Sequence, residues 1–392
     1  MSIQPLQPAD LLRIPLDGPR PSFSRALWRI ASADVSSGNR VTLLRDGPGT
    51  FEAMLAMIDA AQESVEFEGY IYRRDEIGMR FAKAFVDAAE RGVRVRVLMD
   101  WVGRLPTPGS FFRKLIRENL DVRLFNPPGF RAWLGLLPRD HRKVLVVDGK
   151  SGVTGGIGIG LEWNYGMIRR RKSPWRDTSI RIDGDAVQDL LQAFERMWAR
   201  ARGRKGPRQR VQRAPSRSFL NTRFHPESLV GIIEGEPGKS RVSRAMQIQA
   251  VAAEKSIWIA SAYFMPSGSE IEALSGAARD GVDVRVLVPS RYDHFWLRGL
   301  MTRSYHRLLR NGVRIWEWRG EMMHAKTSVV DGRWVRVGST DFNPLSVSIN
   351  YELDAVIEDA ALGTAAEAMF LEDLQKSKEL RLARSAIRAG TA

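Results

Sequence analysis

The chain has 392 residues, enough for two domain-sized cores. With 44% hydrophobic and 27% charged residues it reads as globular rather than disordered, and the absence of cysteine excludes disulfides, thiolate nucleophiles and cysteine metal sites. A formal charge of +15 asks for an anionic partner, nucleic acid or an acidic membrane surface, without choosing between them.

In chain order, residues 1–35 carry several prolines and little periodicity, and read as an arm laid over the first of two lobes. The first lobe, 36–200, presents an alternating strand at 63–72, a helical pattern ending at Gly92, and a second alternating strand up to Leu98. Another helix and strand end near Phe125. An apolar stretch follows at 130–138, where Phe130, Trp133 and Leu134 stand close to Arg131; it reads either as an interfacial anchor or as core. Arg169–Lys172 form a basic run, and from Arg196 to Arg223 there are ten Lys or Arg and no acid, which reads as an exposed basic linker centred on 201–224. The second lobe, 225–392, repeats the first: a strand at 255–264, a helix ending at Gly281, a strand up to Leu287, a further helix and strand ending near Trp316, and a C-terminal helix. Phe295, Trp296, Leu297, Leu300 and Met301 have helical spacing and are a second anchor candidate, with core packing as the alternative. Strand–helix alternation predicts an α/β fold with a mostly parallel central sheet in each lobe. The period of roughly 185 residues is too long for a solenoid and marks a duplicated domain. No basic-then-apolar leader and no apolar run of roughly 20 residues is found, so membrane contact is expected to be peripheral.

Five histidines occur, and two open the same pattern at corresponding points of the repeat: His141-x-Lys143-x4-Asp148 and His324-x-Lys326-x4-Asp331. For one histidine, chance would produce that pattern roughly once in a few hundred trials. The following stretches, 144–147 and 327–330, are rich in β-branched residues, and positions i and i+2 of a strand share a face. His141 therefore projects with Lys143, and His324 with Lys326. Two lobes packed about a pseudo-two-fold axis would bring all four into one cleft. Two imidazoles and two ammoniums suit a phosphodiester: one neutral imidazole attacks phosphorus, the other protonates the leaving alkoxide, and the lysines neutralise the non-bridging oxygens. No acidic cluster with metal-site spacing is apparent, so neither metal nor other cofactor is expected. His225, His294 and His306 fall outside the repeat and read as ordinary structural histidines.

An imidazole in either role needs its second nitrogen held. Asp177 and Glu352 occupy matching places, each opening an apolar strand, and are candidates to orient the histidines; edge-strand surface carboxylates are the alternative.

These residues resemble the phospholipase D superfamily, with its duplicated His-x-Lys-x4-Asp motif, and within it bacterial cardiolipin synthases of the type lacking N-terminal transmembrane helices. The resemblance runs from about residue 38 to 380. It is carried by residues 40–47, 92–100, His141-Arg142-Lys143 with Gly155-Gly156, Trp175-Arg176-Asp177, and 337–346 (including Ser339 and Asn343) with Asn350-x-Glu352. It implies two tandem α/β-sandwich lobes with the active site at their interface. It also implies a phosphatidyl group passing from phosphatidylglycerol or a similar donor to His141 as nucleophile, with His324 as acid, and then to an acceptor alcohol, giving cardiolipin. The family carries an Asn shortly after each motif; here those positions are Gly158 and Asp341, and Asp341 would set a negative charge near an anionic substrate unless Asn343 supplies the amide. The implied setting is cytoplasmic, peripheral on the inner face of an anionic membrane. A phospholipase D-type hydrolase, or a metal-independent nuclease with the same paired histidines, stays open, since the basic runs fit lipid headgroups and nucleic acid alike.

Overall fold

Val144–Val147 and the residues after it show how the motif makes its own local structure. The apolar run ends at Asp148-Gly149, both with positive φ (52° and 59°), and the chain turns back on itself. Asp331-Gly332 repeats this with φ of 52° and 60°. Asp-Gly is the dipeptide that tolerates such turns, so each motif strand is the first arm of an antiparallel hairpin.

The computed structural model describes residues 27, 30–31, 33–127, 138–165, 173–201, 228–292 and 297–382. Its strands are β1 (Asp34–Arg45), β2 (Ser64–Gly69), β3 (Arg94–Asp100), β4 (Asp121–Phe125), β5 (Val144–Val147), β6 (Ser151–Gly155), β7 (Thr178–Asp183), β8 (Ser228–Gly235), β9 (Ser256–Ser261), β10 (Asp283–Pro289), β11 (Arg314–Trp318), β12 (Lys326–Val330), β13 (Trp334–Gly338), β14 (Glu352–Glu358) and β15 (Ser377–Glu379). All fifteen lie in one sheet, in the order β15-β11-β10-β9-β12-β13-β14-β8-β1-β7-β6-β5-β2-β3-β4. Outward from the β1–β8 seam, the two halves have the same order. β1, β7, β6, β5, β2, β3 and β4 answer to β8, β14, β13, β12, β9, β10 and β11. The duplication is therefore a pseudo-two-fold about the antiparallel β1–β8 pair, and the two lobes share a single sheet.

The sheet is mixed, which corrects the mostly parallel expectation. Only β2–β3–β4 and β9–β10–β11 are parallel, connected through helices such as Glu76–Glu90 and Gly268–Arg279. The strands towards the seam are antiparallel because hairpins join them. A second correction concerns the arm. Leu27 and Ala31 pack with Leu229, Ile233 and Val242 in the core of the second half, and β1 pairs with β8 before it pairs with β7.

One hydrophobic cluster crosses the seam beneath the helices Ala186–Ala201 and Ala360–Gln375, joining Val144 and Ile180 to Val329 and Ile357. Arg176 is buried there, its guanidinium 2.8 Å from Asp373 and 3.3 Å from Asp46. Removing one partner of such a desolvated pair costs about 3–5 kcal/mol. Arg196 and Arg200, expected in the basic linker, belong instead to the helix Ala186–Ala201, and Arg196 pairs with Glu234. Met301 is buried; Phe295, Trp296, Arg169–Lys172, Phe130, Trp133 and Leu134 lie outside the described residues. Among the described residues no helix is long and apolar enough to cross a membrane.

Candidate active site

His141 and His324 sit just before β5 and β12, at the end of each strand nearest the seam crossing. The backbone N–H of His141 donates to the carbonyl of Tyr351 at 2.9 Å, and that of His324 to the carbonyl of Arg176 at 2.7 Å. Each motif therefore enters its strand alongside the residue preceding the orienting carboxylate of the other half. The side chains follow. His141 Nδ1 lies 3.0 and 3.1 Å from the two oxygens of Glu352, and His324 Nδ1 lies 2.8 Å from Asp177 Oδ2. Both carboxylates are fully buried, which rules out the edge-strand surface reading.

The protonation of His324 follows from its partners. Asp177 also accepts from Trp163 Nε1 at 2.9 Å and from the Thr178 N–H at 2.8 Å. Burial raises its pKa to about 6, against the pull of Lys326, Trp163 and Thr178, so it is ionised at neutral pH. His324 Nδ1 therefore carries the hydrogen. Lys326, which can only donate, lies 3.2 Å from His324 Nε2, so that nitrogen accepts. Burial, then the charges of Lys326 and Lys143, hold the imidazole well below its ordinary pKa. Trp163, Trp175 and Tyr263 surround it with ring centroids 5.6, 5.8 and 6.3 Å away. His141 is more open, with its side chain 17% exposed against 6% for His324, and it packs on Tyr70 at 5.1 Å.

The lysines lie against the same histidines. Lys143 Nζ donates to the His141 carbonyl at 2.6 Å and sits 5.7 Å from the Tyr70 ring. Lys326 Nζ donates to the His324 carbonyl at 2.7 Å and sits 5.7 Å from the Tyr263 ring. Burial lowers Lys143 to about 8; Glu352 pulls it up and the like charge of Lys326 pushes it down. The crossed His141–Glu352 and His324–Asp177 contacts join both His–Lys pairs into one site at the seam. Behind His141, burial pushes Asp140 up to about 7 against the pull of Arg142.

Not every expected residue joins this site. The Asp148 carboxylate accepts from the backbone N–H groups of Gln62, Glu63 and Ser64, and Asp331 does the same for Glu254, Lys255 and Ser256. These aspartates lie at the far end of the motif strands and fix the hairpin turn to the start of β2 or β9; they are positioning residues remote from the imidazoles. Gly156 makes room for the orienter, since a Cβ there would lie 2.2 Å from Asp177 Oδ1. Ser339, its counterpart, accepts from the Leu353 N–H at 3.0 Å, next to Glu352. Asn350 accepts from the Arg139 N–H at 3.2 Å and so ties the segment before His141 to the segment before Glu352. Asn343 does not supply the missing amide. Its Oδ1 caps the helix Pro344–Ser348 through the Ser346 N–H, and its Nδ2 donates to the Tyr263 carbonyl. The charge of Asp341 is directed at Lys326, 3.2 Å away. At Gly158 a Cβ would lie 2.9 Å from the Trp163 ring, which occupies the space a larger residue would need.

Sequence reasoning misses Trp163, Tyr70, Tyr263 and the Asp341–Lys326 pair. Tyr263 stands in the repeated strand, a signal that could have found it; Trp163 carries no motif and joins the site only through the fold. Among the described residues no group of three or more His, Asp or Glu is arranged to hold a metal ion.

Paired histidines and lysines at the seam of a duplicated α/β sheet define an enzyme of the phosphodiester-transfer class. The chain belongs to the family described as cardiolipin synthase, phospholipase D-like domain, whose model matches residues 54–198 and 248–374, one segment in each half. It is 30% identical to cardiolipin synthase 1 of Bacillus cereus over 95% of this chain and 73% of that protein. It is 32% identical to a cardiolipin synthase of Listeria monocytogenes over 89% of this chain and 71% of the other. In fold it is similar to phosphatidylserine synthase of Haemophilus influenzae, with a TM-score of 0.70 at 13% identity over 92% of each chain. It is also similar to polyphosphate kinase of Porphyromonas gingivalis, with a TM-score of 0.59 at 11% identity over 97% of this chain and 52% of that one.

Proposed function

We propose that the protein is a phosphatidyltransferase that makes cardiolipin from phosphatidylglycerol through a phosphohistidine. The observation that carries this reading is the crossed pairing of each imidazole with a buried carboxylate of the other half, beside two lysines. His141 is the nucleophile. Its Nδ1 is held by Glu352, and its Nε2 makes no hydrogen bond among the described residues, whereas His324 Nε2 is covered by Lys326. His141 Nε2 attacks phosphorus as the P–O bond to the first glycerol breaks, and that alkoxide takes a proton from His324. At rest His324 is neutral, held so by burial and two ammoniums, so its protonated form arises when the anionic phosphodiester offsets those charges. In the second half-reaction neutral His324 takes the proton of an incoming lipid hydroxyl, whose oxygen displaces His141 from phosphorus. The covalent intermediate lets the first alcohol leave before the second arrives.

The relatives named cardiolipin synthase support cardiolipin as the product, and the net charge of +15 supports peripheral docking on the inner face of an anionic membrane. The test is purified protein on phosphatidylglycerol vesicles with EDTA present, products read by mass spectrometry. Cardiolipin and glycerol are expected. Phosphatidic acid alone would leave a hydrolase, and cleavage of single-stranded DNA without action on lipid would leave a nuclease.

A further inference from the structure

The two His–Lys pairs share a backbone plan and differ in their third partner. An ammonium has three N–H donors. Lys326 has three acceptors in reach: the His324 carbonyl at 2.7 Å, His324 Nε2 at 3.2 Å and Asp341 Oδ2 at 3.2 Å. Lys143 has one hydrogen-bond acceptor among the described residues, the His141 carbonyl at 2.6 Å, and no carboxylate at salt-bridge distance. Asp341 is itself rigidly held. It is 1% exposed, and its Oδ1 accepts from the Ser261 hydroxyl at 3.1 Å and the Tyr263 N–H at 3.0 Å. Gly158, at the same point of the first half, offers no side chain to Lys143.

We propose that Asp341 is a positioning residue that occupies Lys326 and neutralises its charge, leaving Lys143 as the ammonium that binds the non-bridging oxygens of an incoming phosphodiester. The duplicated site is thus divided in labour. Lys143, with two N–H donors to offer, meets the anion; Lys326 fixes the tautomer and orientation of His324. The groups that bear on His324 fit this division: Asp177 on Nδ1, Lys326 and Asp341 from its own half, and Lys143 and His141 from the other. This inference rests on the phosphodiester reading of the site.

The test is titration of inorganic phosphate into the full chain by calorimetry at pH 7, for wild type, Lys143→Met, Lys326→Met and Asp341→Asn. Lys143→Met should weaken binding about tenfold or more, whereas Lys326→Met, which leaves Asp341 an uncompensated anion, should weaken it only about threefold, the mirror of the Asp341→Asn effect. Asp341→Asn keeps the size of the side chain and an oxygen for Ser261 and Tyr263 while freeing the Lys326 charge, so it should tighten phosphate about threefold or more. In steady state Lys143→Met should raise KM for the lipid donor, and Lys326→Met should lower kcat. Equal loss of phosphate binding in the two lysine variants, or no change in Asp341→Asn, overturns the division of labour. Should Asp341→Asn not fold, the lysine pair decides alone. Failure of the wild-type protein to bind phosphate would instead sink the phosphodiester reading itself.

Discussion

Asp177 of the first half holds His324 of the second at 2.8 Å, and Glu352 of the second holds His141 of the first at 3.0 Å. Neither half therefore contains a complete imidazole–carboxylate pair, and the seam is part of the active site. Replacing an orienting carboxylate by its amide keeps the shape and loses the tautomer. Asp177→Asn and Glu352→Gln are each expected to lower kcat by about 10²–10⁴, within the range set by a comparable change in a catalytic triad. Both should leave the far-ultraviolet circular dichroism unchanged. A loss below about threefold for either would show that its histidine is oriented by something else.

The motif aspartates should behave differently. Each accepts from three consecutive backbone N–H groups, and leaving such donors without an acceptor costs about 1–3 kcal/mol. Asp148→Ala and Asp331→Ala are expected to lower Tm by several degrees with kcat within about threefold of wild type. Burial raises the Asp148 pKa, but the N–H groups of Ser64, Glu63 and Gln62 outweigh it and hold the carboxyl below the usual 3.8. A depressed folded-state pKa contributes stability above 3.8 that is lost as pH falls through the folded value. The stability gap between wild type and Asp148→Asn should thus be full at pH 7 and shrink below about pH 3.8. A thermal melt series in pH measures it; a gap that grows in acid would contradict the assignment.

Much of this site was open to reading because the repeat lies in the local sequence. His141 and His324 with their lysines, and Asp177 and Glu352, stand at matching positions. The crossing of carboxylates between halves was not legible. It follows from the antiparallel β1–β8 pairing, which sets Tyr351 beside Asp140 and Arg176 beside Met323, and no local pattern reports a strand neighbour so far away in the chain. The mostly parallel expectation failed for a reason that was visible: Asp148-Gly149 and Asp331-Gly332 are hairpin signals. The partner of Asp341 was hidden because a buried Asp near a Lys declares its pairing only in three dimensions.

The pH dependence of kcat/KM should be bell-shaped. Asp177, raised to about 6 by burial, protonates below that pH and ceases to accept from His324 Nδ1. Lys143, lowered to about 8 by burial, loses its charge above that pH and with it the attraction for phosphate. Lys143→Arg keeps a cation that does not titrate in this range, so it should remove the basic limb near 8 whatever its effect on the maximum. A basic limb unchanged in that variant would assign the limb to another group.

Gly103 packs so closely on Tyr70 that a Cβ there would lie 2.0 Å from the Tyr70 carbonyl, and Tyr70 in turn packs on His141. The loop around Gly103 carries Val102 and Leu105, which are 38% and 51% exposed. On the other half the helix Pro344–Ser348 starts at Asn343, whose amide reaches the carbonyl of Tyr263 beside Lys326; it carries Leu345, 60% exposed, and is followed by Ile349, 39% exposed. Exposed apolar side chains thus stand in segments that touch Tyr70 and Tyr263, the rings packed beside the two His–Lys pairs, and Arg104 lies against Trp101 in the first of these segments. Apolar side chains with cations among them suit an anionic bilayer, into which they insert while arginines meet the headgroups. Leu105→Ser combined with Leu345→Ser should reduce sedimentation with phosphatidylglycerol vesicles and lower vesicle turnover by about a hundredfold or more, since two buried leucines contribute about 1.5–3 kcal/mol each when fully inserted. Turnover of a short-chain, water-soluble phosphodiester should be unchanged. Binding of the wild-type protein should fall as salt shortens the Debye length from about 10 Å at 0.1 M to about 3 Å at 1 M. Equal losses on vesicles and on the soluble substrate would mean that these leucines support the fold of the site rather than its contact with the membrane.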